Sequence, residues 1–164
     1  MAIKDAFIAE LKHEAGLTKK MLERVPLDKA EWKPHEKSMT LGRLATHIAE
    51  NFKWITEIKN MDDYDFATKV FKPNVAASQE ELISIFQTNL ETAINDLLLM
   101  TDEDFNKTWV VRAGEKVMYN TPKKVAIRGW AFSHHIHHRG QLSVYLRLLD
   151  IPVPGMYGPS ADER

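Results

Sequence analysis

The chain has 164 residues, of which 44% are hydrophobic and 27% are charged, and its formal net charge at pH 7 is −1. This length and balance are typical of one globular domain, which we expect to span residues 1–164. The near-neutral charge argues against nucleic acid or an anionic membrane as a partner, and the absence of cysteine excludes disulfides, a cysteine nucleophile and thiolate metal ligands.

Two helices are predicted in the first half of the chain. The first runs from about Ile3 to Arg24, and its helical stripe consists of Phe7, Leu11, Thr18 and Leu22. The second runs from about Thr40 to Lys59, with Ser38 or Thr40 as the N-cap. Its apolar side consists of Leu41, Leu44, Ile48, Phe52 and Ile55.

Two more helices are predicted in the second half, after a long polar loop over residues 61–77. Ser78 and Glu81 form a capping-box pattern that starts a third helix, which ends near residue 100. Residues 102–120 have the composition of a small hairpin or an extended loop. Thr121 can cap a fourth helix with Pro122 in its first turn, and this helix continues to about residue 149.

These elements predict an all-α fold. Four amphipathic helices joined by two long connectors and one short one favour a four-helix bundle. The alternative is a pair of helical hairpins that becomes a bundle only by dimerisation.

The last helix carries histidines on a stripe that is otherwise mostly apolar. At about 100° per residue, His134, His138 and Gln141 share one narrow face. The same face contains Ile127, Trp130, Tyr145 and Leu148. Two histidines four residues apart can bind one metal ion, although two histidines satisfied by hydrogen bonds or water would show the same pattern. His135 points away from this stripe.

His47 adds a third candidate ligand from the second helix. It shares a largely apolar face with Asn51, Trp54 and Ile58. A buried imidazole needs a partner, and one shared divalent ion would satisfy His47, His134 and His138 together, although a core histidine bonded to a carbonyl explains His47 alone. Three protein nitrogens without a fourth ligand are typical of an open, catalytic metal site. Zinc is the first choice of metal, and nickel, iron and manganese are the alternatives.

Two further residues are candidates for roles beside the metal. Glu14 lies in the stripe of Phe7, Leu11 and Thr18, where its carboxylate could bond a ligand or act as a general base. The alternative is a glutamate at the edge of the helix with its head in water. Gln141, one turn after His138, could orient a ligand or a water molecule, or it could pack as an ordinary amide.

Three passages give the chain a resemblance to a known family. They are SMTLGRLATHIA at residues 38–49, HHIHHRGQL at residues 134–142 and PVPGMYG at residues 152–158. Together they resemble the DinB/YfiT-like superfamily of metal-dependent enzymes. The resemblance implies an up-up-down-down four-helix bundle with one histidine ligand on the second helix and two near the end, at the positions of His47, His134 and His138. It also implies a homodimer.

The resemblance leaves the reaction open, because characterised relatives include thiol-dependent transferases and an isomerase. We expect a metal-dependent enzyme that acts on a small molecule, either as a thiol S-transferase with a low-molecular-weight thiol cosubstrate or as a hydrolase. The alternatives are a non-enzymatic metal- or ligand-binding stress-response protein and an interaction module with structural histidines.

Two expectations concern the surroundings of the protein. Val125, Phe132 and Ile136 lie opposite the histidine stripe, so this second apolar side is covered either by a second copy of the chain or by the long loops. Arg139 also points away from the stripe, which favours a structural or interfacial role. Because no segment reads as a signal peptide or a membrane span, we expect a cytoplasmic protein without membrane contact.

Overall fold

The computed structural model describes residues 2–69 and 72–163 of the chain. The protein is mostly helical, with about 60% of residues in helices, and it has one small sheet. The described α-helices are α1 (Ile3–Leu22), α2 (Leu41–Glu50), α3 (Lys53–Asn60), α4 (Gln79–Leu99), α5 (Asp102–Asn106), α6 (Lys123–Ala126) and α7 (His134–Leu148). The strands are β1 (Asp63–Asp65), β2 (Thr108–Ala113) and β3 (Lys116–Pro122). A π-helical segment (Ile127–Ser133) joins α6 to α7, and short 3-10 turns occur at Leu27–Lys29 and Ala161–Glu163.

Helices α1 and α4 agree closely with the prediction. The predicted stripe of α1 is fully or almost fully buried. At the start of α4, the Ser78 hydroxyl accepts a hydrogen bond from the Glu81 amide at 3.1 Å. The Glu81 carboxylate accepts from the Ala77 amide at 2.7 Å, one residue before the position that a capping box requires. Both side chains of the cap therefore accept hydrogen bonds from backbone N–H groups at the start of α4, although Glu81 bonds the amide of Ala77 instead of that of Ser78.

The second predicted helix is interrupted, so the prediction of one continuous helix from residue 40 to 59 is wrong. Thr40 caps α2, because its hydroxyl accepts from the Arg43 amide at 3.3 Å. The chain then turns at Asn51 and Phe52 and resumes as α3. Phe52 is fully buried and Asn51 is 2% exposed, so the break itself is packed inside the protein.

The sheet corrects the all-α expectation. Its order is β1-β2-β3, with β1 parallel to β2 and β2 antiparallel to β3. The hairpin of β2 and β3 confirms one of the two alternatives for this region, and Gly114 occupies the left-handed region of its turn with φ 62°. The prediction of a loop over residues 61–77 is wrong for residues 63–65, which form β1. Residues 70 and 71 lie outside the described ranges.

The start of the last helical stretch also differs from the prediction. Thr121 and Pro122 belong to β3, so Thr121 does not cap a helix and the first helical residue is Lys123. Seven residues of π-helix then precede α7. In a π-helix the hydrogen bonds run from i to i+5, so the 100° step assumed for the whole stretch does not hold across residues 127–133.

The buried face of α7 is not the one that the stripe predicted. The side chains that α7 buries belong to His135, Arg139, Leu142, Tyr145 and Leu146. Gln141 is exposed and Leu148 is 58% exposed, while Phe132, which we placed on a second apolar face, is buried. The histidine stripe thus lies at the border between the core and solvent, where a ligand can reach it.

The long helices pack around one hydrophobic core. Helix α1 packs on α4 and α7, and α2 packs on the same two helices. Helix α3 contacts α4, α6 and the π-helical segment, and strands β2 and β3 contact α6. No helix of residues 2–69 and 72–163 is long and apolar enough to cross a membrane.

Candidate metal centre

The structure brings the three predicted histidines together. One ring nitrogen from each of His47, His134 and His138 lies within 4.8 Å of the other two. The Nε2 atoms of His47 and His134 are 3.2 Å apart. Two nitrogens bound tetrahedrally to one zinc ion at 2.0–2.1 Å are separated by about 3.3 Å. The pair is therefore already at the spacing that a shared ion requires.

Two separate elements position these rings. His47 lies in the last turn of α2, just before the break at Asn51. His134 is the first residue of α7 and His138 follows one turn later, so both rings project from the same side of that helix. The π-helical segment ends directly before His134, and π-helical turns occur frequently at functional sites.

All three imidazoles are held in the neutral form. Burial, followed by the proximity of His138 and His134, lowers the pKa of His47 from about 6.5 to about 3. Burial also lowers the pKa of His134 to about 4 and lowers the pKa of His138. Because a metal ion binds neutral imidazole, the cluster has its lone pairs available at neutral pH.

Amide side chains contact two of the rings. Gln141 Oε1 lies 2.7 Å from His138 Nδ1, so it can accept the Nδ1–H bond and leave Nε2 free for the cluster. Asn51 places its amide 3.1 Å from His134 Nδ1. The bond between Gln141 and His138 is of the kind that fixes the tautomer and orientation of a metal-binding histidine. The role of Gln141 in orienting a histidine was one of its two predicted alternatives.

Arg43 controls the proton on His47. Its guanidinium nitrogen lies 3.3 Å from His47 Nδ1, and a guanidinium can only donate hydrogen bonds. His47 Nδ1 therefore accepts, which places the ring proton of His47 on Nε2. Ligation through His47 Nε2 requires this proton to move to Nδ1, so Arg43 must then turn towards its other acceptors, Glu50 at 3.3 Å and the Asn74 carbonyl at 3.1 Å.

Glu14 lies in the predicted stripe of α1 and is 5% exposed, but its carboxylate bonds side chains other than the candidate ligands. Its carboxylate pairs with Arg139 at 2.6 Å and accepts a hydrogen bond from the Tyr157 hydroxyl at 2.8 Å. Arg139 is 2% exposed, in agreement with the structural role expected for it. The carboxylate is thus committed to a buried ion pair, and we do not carry the general-base role of Glu14 into the proposed function.

His135 belongs to the core next to this ion pair. Its Nε2 lies 2.6 Å from the Thr18 hydroxyl, and its ring stacks on Phe52 with a centroid distance of 4.3 Å. Burial lowers the pKa of His135 to about 3. Arg139 also donates to the Thr18 hydroxyl at 3.0 Å, which leaves the hydroxyl proton for the neutral imidazole.

The metal-free protein is expected to lose stability in mild acid. His135 has a lower pKa in the folded chain than in the unfolded chain, so the unfolded state binds more protons below about pH 6.5 and stability falls as pH falls. Between pH 7.5 and pH 5, His135 alone is expected to remove about 2 kcal/mol. Urea unfolding of the wild type and of His135→Gln measures this. Equal losses in both proteins would contradict the assignment.

Aromatic side chains that were not among the predicted site residues line a cleft beside the histidine cluster. The cleft has a volume of about 550 Å³, and its aromatic lining consists of Trp54, Tyr64, Phe66 and Trp130. His47 and His134 also line it. A signal for two of them was present in the sequence, since Trp54 shares a predicted face with His47 and Trp130 shares one with His134.

Comparisons with known proteins agree with this fold. The family model described as the DinB family matches residues 1–164. The uncharacterized protein YrdA of Bacillus subtilis strain 168 is 26% identical over 165 residues, which cover 97% of this chain and 90% of YrdA. The uncharacterized protein YjoA of the same strain is 23% identical over 149 residues, which cover 90% of this chain and 91% of YjoA.

Two crystal structures show the same fold. A DinB-like protein from Bacillus cereus ATCC 10987 superposes with a TM-score of 0.72 at 22% identity, covering 93% of this chain and 97% of that protein. The DinB-like protein YjoA from Bacillus subtilis superposes with a TM-score of 0.67 at 20% identity, covering 96% of this chain and 97% of that protein.

Proposed function

Because the chain belongs to the DinB family, we propose that it is a metal-dependent enzyme acting on a small molecule, with His47, His134 and His138 as the metal ligands. One observation carries the proposal. Three neutral imidazoles from two separate helices converge within 4.8 Å of one another. A histidine buried only for packing does not need two others beside it, and such a donor set suits a divalent ion such as zinc.

The donor set supports two reaction classes. A divalent ion held by three nitrogens with an open position acts as a Lewis acid that activates water or a thiol. The protein is then either an S-transferase that uses a low-molecular-weight thiol or a hydrolase. Nickel, iron and manganese are the alternatives to zinc.

The protein's own residues orient and surround the reacting groups. Gln141 holds the ring of His138 through Nδ1, and Asn51 contacts the ring of His134. The aromatic residues Trp54 and Trp130 line the cleft beside the cluster. Glu57 lines the same cleft, within reach of a bound substrate, and could exchange a proton with it.

Metal analysis followed by a paired assay tests the proposal. Purified protein loaded with zinc, nickel, iron or manganese is expected to hold about one ion per chain. It is then assayed with L-cysteine and 1-chloro-2,4-dinitrobenzene for thiol conjugation, and with simple esters and amides for hydrolysis. Metal-dependent turnover in either assay supports an enzyme. Stoichiometric metal without turnover in any assay would favour the alternative, a non-enzymatic metal- or ligand-binding protein.

Loss of the Gln141 amide is expected to weaken metal binding. Replacing Gln141 by Ala removes the acceptor of the His138 Nδ1–H bond, and such partners contribute roughly 10- to 100-fold to metal affinity. Competition with a chromophoric chelator measures the change. Gln141→Glu keeps an acceptor oxygen at the same reach and is expected to retain the affinity, so an equal loss in both variants would argue against this role.

Two expectations about architecture complete the proposal. We interpret the packing of α1 and α2 on both α4 and α7 as the predicted four-helix bundle within a single domain. We also retain the predicted homodimer, which sedimentation velocity tests directly.

A further inference from the structure

A second cleft reaches the histidine cluster from the other side of Trp130. It has a volume of about 350 Å³, within the range of small-molecule sites. Trp130 and His134 line both this cleft and the larger aromatic one. The two clefts therefore meet at one indole ring and one candidate metal ligand.

The two clefts differ in charge. The lining of the larger one includes acidic and basic side chains, from Glu50, Lys53, Glu57, Lys69 and Lys72. The residues that line the smaller one are Tyr119, Thr121, Val125, Ala126, Gly129, Trp130 and His134. None of these seven residues is an aspartate, glutamate, lysine or arginine, and His134 among them is the candidate metal ligand.

Gly129 lines the smaller cleft without contributing a side chain to it. A Cβ atom built at Gly129 would have no other atom within 4 Å. The neighbouring walls are Val125, which is 49% exposed, and Tyr119, whose ring lies 5.7 Å from the Trp130 ring in an edge-on arrangement. An apolar group placed here would be covered by side chains on two sides and would keep water from His134.

We propose that this smaller cleft binds the uncharged, apolar group of the substrate beside the metal ion, while the ionic part lies in the larger cleft. The inference rests on the proposed function, because it takes the metal ion as the common point of the two clefts. Burial of apolar surface gives the apolar group its affinity. An ionic group is disfavoured in the smaller cleft because it would lose water there without gaining a charged partner.

Two metal-binding probes that differ in their apolar part test the assignment. Acetohydroxamate carries a methyl group and benzohydroxamate carries a phenyl ring, and calorimetry on the zinc-loaded protein gives both dissociation constants. In Gly129→Leu the leucine side chain takes up space in the cleft while all three histidines are kept. The preference for benzohydroxamate over acetohydroxamate is expected to fall about tenfold, with acetohydroxamate binding unchanged.

Gly140→Leu is the matched control. Gly140 lies on α7, a Cβ there also meets no atom within 4 Å, and it lines neither of the two clefts that reach His134. This variant is expected to keep the wild-type preference. Val125→Phe narrows the cleft from its opposite wall and replaces Gly129→Leu if circular dichroism shows that the latter is misfolded.

The outcomes separate this inference from the proposed function. If acetohydroxamate binds but both cleft variants keep the wild-type preference, the inference is overturned and the metal site stands. If neither probe binds the zinc-loaded protein, the open metal position and the inference fall together. If Gly129→Leu dissociates a dimer without changing the preference, the cleft is a contact between two copies, which also overturns the inference.

Discussion

Replacement of His47 by alanine is expected to abolish stoichiometric metal binding while the helices remain intact. The substitution removes one of three nitrogens and the ligand contributed by α2, so only the two ligands of α7 remain. The loss of affinity should exceed the roughly 10- to 100-fold that an outer partner contributes. Elemental analysis after dialysis against metal-free buffer measures the metal content, and circular dichroism measures the helix content.

Metal-linked stability gives a second readout for the same variant. An ion that binds only the folded state at 100 times its dissociation constant stabilises the protein by about 2.7 kcal/mol. Added zinc should therefore raise the unfolding free energy of the wild type and leave that of His47→Ala unchanged. His137→Ala is the control, because His137 is exposed and is not one of the three clustered histidines. Equal metal content in the two variants would remove His47 from the site.

The largest loss of stability is expected from Arg139→Met. Arg139 and Glu14 form an ion pair in which the side chains are 2% and 7% exposed. Arg139 also donates to the Glu14 carbonyl at 3.1 Å and to the Thr18 hydroxyl at 3.0 Å. Removing one partner leaves a buried charge without compensation, which costs about 3–5 kcal/mol. Urea unfolding at pH 7.5 gives the change in unfolding free energy.

A surface ion pair on the same helix provides the control for Arg139→Met. Arg147 pairs with Asp162 at 2.6 Å, but its side chain is 50% exposed, so Arg147→Met should cost no more than about 1 kcal/mol. The double variant Glu14→Gln/Arg139→Met removes the stranded charge and should recover more than half of the loss. Similar effects of Arg139→Met and Arg147→Met would show that burial of the pair contributes little.

Periodicity predicted the long helices well because their stripes face a continuous core. The bounds of α1 and α4 lie within two residues of the prediction, with Pro26 after the first helix and Ser78 before the other. The break between α2 and α3 carries no proline or glycine. It is formed by Asn51 and Phe52, which tertiary packing buries, so local propensity gave no signal.

The sequence indicated the hairpin of β2 and β3 but not strand β1, for a different reason. Strands β2 and β3 contain the β-branched and aromatic residues that favour strands, and Gly114 marks their turn. Strand β1 consists of Asp63, Tyr64 and Asp65, a polar sequence that reads as loop. Its pairing with β2 is held by an ion pair between Arg112 and Asp63 at 2.8 Å, a contact between distant residues that a single sequence does not reveal.

The candidate site could be predicted from residue types and spacing, but its orientation could not. The four-residue spacing of His134 and His138 indicated a shared face, and His47 was found because it lay on a largely apolar face. The step of about 100° per residue then placed this face at the centre of the core. In the structure, the face of α7 that carries His135 and Arg139 is the buried one. A polar side chain at the centre of a buried helix face and one at the border of that face give the same helical spacing of apolar residues in the sequence, because apolar residues flank both positions.

The π-helical turn before His134 makes the arrangement sensitive to the number of residues upstream. A helical stretch anchored by β3 on one side and by the Arg139–Glu14 ion pair on the other can absorb one additional residue only by widening a turn. Deleting one residue between positions 127 and 133 would tighten that turn to α-helical geometry, so the two ends would stay in place while the side chains within the turn, Trp130 among them, would change direction relative to the two histidines. Relatives that differ in length there are therefore expected to keep the imidazoles and to present a different wall to whatever binds beside them.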